Sequence, residues 1–249
     1  MAVYSRHKLG EPFRVMELFP TIQGEGSDIG RETIFMRLYG CNLACVWCDT
    51  AHSWDEAKYY KGIYQDYSDF DIVSTVKEIA EAQDIKHMVI TGGEPLMHNH
   101  EALANLIEVL RLENVIHHVT FETNGTILAH PKLAEVTGLF SVSPKLSSSQ
   151  NKPYVAKLLS KWIDRAGDKI QFKFVVANKQ DADEVVQLIK EADDERLKEV
   201  PIIFQPEESA NNYRELPSLI RQAFREAEMD KLEYDIRFIP QVHKLYGIR

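Results

Sequence analysis

Gly40-Cys41-Asn42-Leu43-Ala44-Cys45-Val46-Trp47-Cys48 contains every cysteine of the chain, spaced C-x3-C-x2-C. It directly follows a β-branched and aromatic run at 33–38 that reads as a strand. Thiolates are soft ligands suited to zinc or to iron-sulfur clusters, and three on one loop can hold three corners of a cubane. One iron then lacks a protein ligand, and an open coordination position is what metal chemistry requires. Two competing readings are a structural zinc completed by an imidazole such as His52, and three cysteines packed as small hydrophobes. Zinc fingers usually pair two knuckles, and the chain has no second one. An odd cysteine count in one stretch is also the wrong arithmetic for a disulfide framework, and it suits a reducing compartment.

Outward from this loop, β-branched or aromatic runs alternate with amphipathic stretches of helical length, the pattern of parallel strands joined by helices. Strands are expected near 33–38, 87–91, 118–122, 139–143, 169–176, 201–205 and 234–239. Helices are clearest at 71–83, 100–112, 153–166, 181–192 and 212–228, where apolar residues recur at three and four. This makes roughly six β/α units and an α/β fold. A Tyr-rich stretch at 59–67 reads as an insertion before the first long helix. In a β/α barrel the carboxyl ends of the strands gather on one face, where such folds place their chemistry. Four of these ends are polar and carry Gly or Pro: Thr91-Gly92-Gly93-Glu94-Pro95, Glu122-Thr123-Asn124-Gly125, Ser143-Pro144-Lys145 and Gln205-Pro206-Glu207. Any one of them could simply terminate a strand. Together they outline one mouth.

The 249 residues suffice for one large domain but are short for two. A formal net charge of -9 disfavours broad contact with phosphate backbones, so neither nucleic acid nor a membrane surface is an expected partner. No apolar run approaches the ~20 residues of a membrane span, and the first residues lack the apolar core of a secretory signal. A cytoplasmic location is expected.

The cysteine spacing, with Trp47 before its last Cys, together with Thr91-Gly92-Gly93-Glu94-Pro95, resembles the radical S-adenosylmethionine superfamily. The resemblance implies a partial (β/α)6 barrel with a 4Fe-4S cluster on Cys41, Cys45 and Cys48, in the loop after the first barrel strand. It implies S-adenosylmethionine as cofactor, with Gly93 and Glu94 at its methionyl amino group. Trp47, Glu122, Asn124, Ser143, Lys145 and Gln205 would line the rest of that pocket.

Further stretches resemble one member of the superfamily, the 7-carboxy-7-deazaguanine synthase family of the 7-deazapurine (queuosine) pathway. They are Pro20-Thr21-Ile22-Gln23-Gly24-Glu25-Gly26, Phe35-Met36-Arg37, Cys48-Asp49-Thr50, Ser143-Pro144-Lys145 and the closing Gln241-Val242-His243-Lys244. By this resemblance Ile22, Gln23, Gly24, Glu25, Thr91 and His243 meet a pterin, and Arg37 receives its carboxylate. Thr50 helps bind Mg2+, and the terminal Arg249 reaches the substrate through its main-chain carboxylate. The chain divides into a substrate-binding segment (1–31), a barrel core (32–240) and a substrate-capping tail (241–249), as one domain. The implied activity converts 6-carboxy-5,6,7,8-tetrahydropterin to 7-carboxy-7-deazaguanine and ammonia, with a flavodoxin or ferredoxin as electron donor and a homodimer as the assembly. Residues 1–12 and the Tyr-rich stretch match none of these motifs. Two alternatives stay open, a glycyl-radical-enzyme activating enzyme and a non-catalytic Fe-S or zinc binding module. The first is expected to carry a Gly-Pro-Gly type segment where this chain has Gln23-Gly24-Glu25-Gly26.

Overall fold

The strand-helix alternation becomes, in the computed structural model, an ordered series of elements; residues 10–55, 58, 64–207 and 213–247 are described. The strands are β1 (Phe13–Ile22), β2 (Glu32–Leu38), β3 (Gln65–Tyr67), β4 (His87–Gly92), β5 (His118–Thr123), β6 (Leu139–Val142), β7 (Ile170–Val176), β8 (Ile202–Pro206) and β9 (Ile236–Phe238). The helices are α1 (Asp69–Gln83), α2 (His100–Leu112), α3 (Pro131–Val136), α4 (Lys157–Ala166), α5 (Lys179–Ala192), α6 (Leu216–Glu226) and α7 (Val242–Tyr246). Among the described residues the strands form one sheet, ordered β3-β1-β2-β4-β5-β6-β7-β8-β9. From β2 to β9 every neighbouring pair is parallel, whereas β1 pairs antiparallel with both β2 and β3. The partial parallel barrel expected from the sequence is therefore present, extended at one edge by an antiparallel pair.

Side chains alternate across a strand, so each strand sorts its residues onto two faces. On β7, Phe172, Phe174 and Val176 join the apolar core with the helices, among them the fully buried Trp162 of α4. The intervening Gln171 bonds Ser141 of β6, and Lys173 and Val175 line the functional cleft. The same division holds on β5, where Val119 and Phe121 are in the core while Thr120 and Glu122 bond polar partners on the other face. The helix-covered face supplies the hydrophobic stabilisation, and the opposite face is free to hold polar groups.

Several expectations need correcting. β1 was not foreseen as a strand. Pro20 within a run argues against a strand, and the register shift between Val15 and Glu17 breaks the alternation that would reveal one. β3 pairs only with Phe13, Arg14 and Val15, so Pro20 lies beyond that ladder and its missing N–H removes no bond from it. The Tyr-rich stretch is not wholly an insertion, because Gln65–Tyr67 is β3; residues 59–63 lie outside the described residues, as do residues 1–9. α4 starts at Lys157 rather than at 153, because the Tyr154 hydroxyl is drawn to the Gly125 carbonyl (3.1 Å), which also accepts from Trp162 Nε1 (2.8 Å). α1 begins at Asp69, two residues early, on a reciprocal cap between Ser68 and Asp71. Among the described residues no helix is long and apolar enough to cross a membrane.

Candidate active site

At the carboxyl ends of the parallel strands a cleft of about 220 Å³ opens, bordered by the cysteine loop on one side and by the segment after β1 on the other. Cys41, Cys45, Trp47, Cys48 and Thr50 all line it. So do Gly93 after β4, Glu122 and Asn124 at the end of β5, and Ser143 and Lys145 beyond β6. From the residues expected to meet a substrate, Ile22, Gln23, Gly24, Glu25, Arg37, Thr91 and His243 reach the same cleft. Glu94 and Gln205 do not: both are fully buried. Arg249 lies outside the described residues.

The cysteine loop is seated by the strand end that follows β4. Glu94 N–H donates to the Gly40 carbonyl (2.7 Å), and a Cβ on Gly93 would fall 2.2 Å from that oxygen and 2.9 Å from Cys41 Cβ. Glycine is needed there for this close approach. The Glu94 carboxylate turns inward, accepting from Leu96 N–H (3.0 Å), Thr123 Oγ1 (2.7 Å) and Asn124 N–H (2.7 Å). Burial outweighs these bonds and pushes its carboxyl up to about 7. In this position Glu94 ties the ends of β4 and β5 together, and Gly93 is the part of the motif that faces the cleft.

Each sulfur of the loop has an N–H directed at it. Leu43 N–H approaches Cys41 Sγ at 3.4 Å, Asn151 Nδ2 approaches Cys45 Sγ at 3.1 Å, and Trp54 Nε1 approaches Cys48 Sγ at 3.4 Å. Burial, with the Glu94 carboxylate next, raises the Cys41 thiol to about 12, and burial also raises Cys45. Three soft donors, each supplied with a hydrogen-bond donor, fit a thiolate-bound iron-sulfur cluster, whose metal drives deprotonation and whose potential is set partly by such bonds. Asp49 and Thr50 add hard oxygen atoms to the cleft beside the loop, the donor type that magnesium accepts.

On the opposite wall the segment after β1 is locked to the barrel. Gln23 Nε2 donates to Glu122 Oε1 (3.1 Å), whose second oxygen accepts from Thr91 Oγ1 (3.2 Å). Glu25 forms a buried ion pair with Lys173 of β7 and accepts from Gln241 Nε2 (2.6 Å). Burial alone would raise the Glu25 carboxyl, but the Lys173 ammonium holds it below the usual carboxylate range; Glu25 and Glu122 in turn raise Lys173. Val242 N–H closes onto the Gly24 carbonyl (3.0 Å), and a Cβ on Gly24 would collide with the His243 ring. Arg37 donates through Nε to Glu17 (2.9 Å) at the rim.

Lys173 and Trp54 also face the cleft and were not singled out by the sequence, and Asp49 and Gln241, which stood inside quoted motifs without an assigned role, face it too. Lys173 had a visible signal, as the single charge inside the apolar run Gln171-Phe172-Lys173-Phe174-Val175.

A family model described as the radical SAM superfamily matches residues 37–216. A 7-carboxy-7-deazaguanine synthase from Hyperthermus butylicus is 32% identical over 240 residues, covering 95% of this chain and 94% of the relative. One from Pyrobaculum aerophilum is 34% identical over 180 residues, 71% of this chain and 72% of the relative. The crystal structure of QueE from Escherichia coli superposes with a TM-score of 0.61 at 25% identity, covering 93% of this chain and 95% of that one. The chain thus belongs to the radical SAM superfamily and, within it, to the family of the 7-carboxy-7-deazaguanine synthases.

Proposed function

We propose that this chain is a lyase that converts 6-carboxy-5,6,7,8-tetrahydropterin to 7-carboxy-7-deazaguanine and ammonia. The observation that carries this reading is the meeting, on one cleft, of a three-cysteine loop with a polar wall built from Gln23, Gly24, Glu25, Glu122 and His243. Cys41, Cys45 and Cys48 hold a 4Fe-4S cluster; with S-adenosylmethionine bound beside it, the pair supplies a one-electron cleavage and a hydrogen-abstracting adenosyl group. Gly93, Trp47, Asn124, Ser143 and Lys145 border the S-adenosylmethionine position. Lys145 Nζ bonds Ser143 Oγ at 3.0 Å and sits 5.7 Å over the Trp47 ring, which leaves its charge turned to the cleft rather than to solvent.

The other side chains bind and orient the pterin. Arg37 presents a planar fork to the carboxylate, with its Nε edge already fixed by Glu17. Glu25, kept ionised by Lys173, and Gln23 offer acceptors to the amino-pyrimidinone edge. Thr91 and His243 contact the ring, and the main-chain carboxylate of Arg249 is assigned to the substrate; Glu122, expected beside S-adenosylmethionine, joins the pterin wall through its bonds to Gln23 and Thr91. Thr50, with water and substrate oxygens, holds Mg2+. A flavodoxin or ferredoxin delivers the electron, and the chain works as a homodimer.

The test is anaerobic reconstitution with iron and sulfide, then mass spectrometry of a reaction containing dithionite, S-adenosylmethionine and the carboxytetrahydropterin. Both 5′-deoxyadenosine and the contracted base are expected. Absence of both overturns the proposal.

A further inference from the structure

At the amino ends of the strands, outside the lining of the cleft, a second set of ligand-type side chains converges, and the proposed reaction uses none of them. His87 and His118 open the neighbouring strands β4 and β5 and are partners in register. Asp28 meets them from the segment that joins β1 to β2. Asp28 Oδ2 lies 3.6 Å from His87 Nε2 and 3.5 Å from His118 Nε2, and the three atoms all lie within 4.8 Å of one another. We infer that Asp28, His87 and His118 form a binding site for a divalent transition cation of the zinc type, separate from the cysteine loop.

Donor chemistry and geometry both favour this. Two imidazoles and one carboxylate on an otherwise closed site suit zinc, cobalt or iron(II) rather than magnesium. Metal-ligand bonds of about 2.0–2.1 Å place ligand atoms roughly 3.3 Å apart in a tetrahedron, so both carboxylate-imidazole gaps need to close by only a few tenths of an ångström. The two imidazole nitrogens, which lie within 4.8 Å of each other, have to approach by up to about 1.5 Å to complete such a site. Asp28 Oδ2 is already oriented by Thr120 Oγ1 (2.8 Å), the kind of outer bond that fixes a metal-ligating carboxylate. Arg31 Nε takes the other oxygen, Oδ1, at 3.2 Å and leaves Oδ2 to the cation. Its positive charge opposes binding, but Arg31 is 59% exposed and therefore well screened.

His118 Nε2 is buried and faces this carboxylate in a loose ion-pair contact rather than a well-formed hydrogen bond. A shared cation would replace that loose contact with a coordinate bond. The His118 side chain is 33% exposed, so an ion and its water have a way in. Its seat is shaped for it: a Cβ on Gly138 would fall 2.6 Å from the imidazole. The contact an ion has to displace is that of His87 Nε2 with Thr120 Oγ1, at 3.0 Å.

The site has a consequence for the cleft, and this part rests on the proposed function. Asp28 sits on the same short segment as Gln23, Gly24 and Glu25, which is pinned at its base by Gln23 N–H to Arg31 O and Gly30 N–H to Gln23 O, each 2.8 Å. A cation at Asp28 fastens that segment to the barrel floor and so fixes the residues that meet the pterin.

The test uses cluster-loaded enzyme, so that iron already occupies the cysteines, dialysed anaerobically against micromolar cobalt(II). Uptake of one cobalt per chain is expected, with the bands of nitrogen and oxygen ligation in the difference spectrum against cobalt-free enzyme and no new thiolate charge-transfer band there. Asp28→Asn and His118→Gln should each lose this cobalt while retaining the cluster absorbance, and the pterin KM should fall several-fold on cobalt addition in the wild type alone. The inference is overturned if the wild type takes up no cobalt, if both variants retain it, or if the bands are those of thiolate ligation. Turnover followed in parallel separates the two proposals: turnover without cobalt uptake sinks only the cation site, and cobalt uptake without turnover sinks only the proposed reaction.

Discussion

Asn151 faces the cysteine loop with both ends of its amide. Its Oδ1 accepts from Ala44 N–H at 3.0 Å, which fixes the orientation and directs Nδ2 at Cys45 Sγ. A hydrogen bond to a ligand sulfur stabilises the more negative, reduced state of a cluster. Asn151→Leu is therefore expected to keep its iron and sulfide but lower the midpoint potential by an amount on the order of tens of millivolts, read by an EPR-monitored redox titration. Glu25 carries a second prediction. Its carboxyl, ordinarily at 4.5, is lowered in the folded chain by Lys173, so the pair contributes stability above pH 4.5 and loses it as pH falls through the folded value. Glu25→Gln should cost about 3 kcal/mol at neutral pH, at the low side for a buried pair because Glu122 and Asp49 also face the ammonium. In cluster-free protein the gap between the wild-type and variant unfolding midpoints should close as pH drops below 4.5; a constant gap would contradict the pairing. The cysteines were legible because their spacing is local. Asn151 was not, since its partner Ala44 lies 107 positions away and no sequence pattern records that proximity.

Elements with an intact period and a recognisable cap were read well. α2 runs His100–Leu112 as expected, because Asn99 caps Glu101 and Ala102 and the apolar residues keep helical spacing throughout. β1 escaped because a proline and a register shift both interrupt its alternation, although Phe13 and Val15 are among the most deeply buried residues. α1 offers a clean test of local stabilisation. Ser68 accepts from Asp71 N–H while the Asp71 carboxylate accepts from Ser68 N–H, all on an exposed turn away from the cleft. Ser68→Ala should cost about 1 kcal/mol, seen as a lowered melting temperature, with turnover unchanged.

Over the whole molecule, parallel strands joined by helices must place their carboxyl ends on one side, which is why the strand-end motifs forecast a common mouth from sequence alone. How the mouth is finished was forecast by the family resemblance alone, since neither periodicity nor turn chemistry shows it. The segment after β1 and the tail come from opposite ends of the chain and meet there, Gln241 with Glu25 across 216 positions and Val242 with Gly24. Deleting residues 240–249 should leave the sheet and the iron content intact while raising the pterin KM at least tenfold, measured by steady-state kinetics on reconstituted enzyme. That clasp also imposes an order on biogenesis. The cysteines leave the ribosome well before Gln241 and His243, so a product terminated between them lacks the residues that shut over a guest molecule.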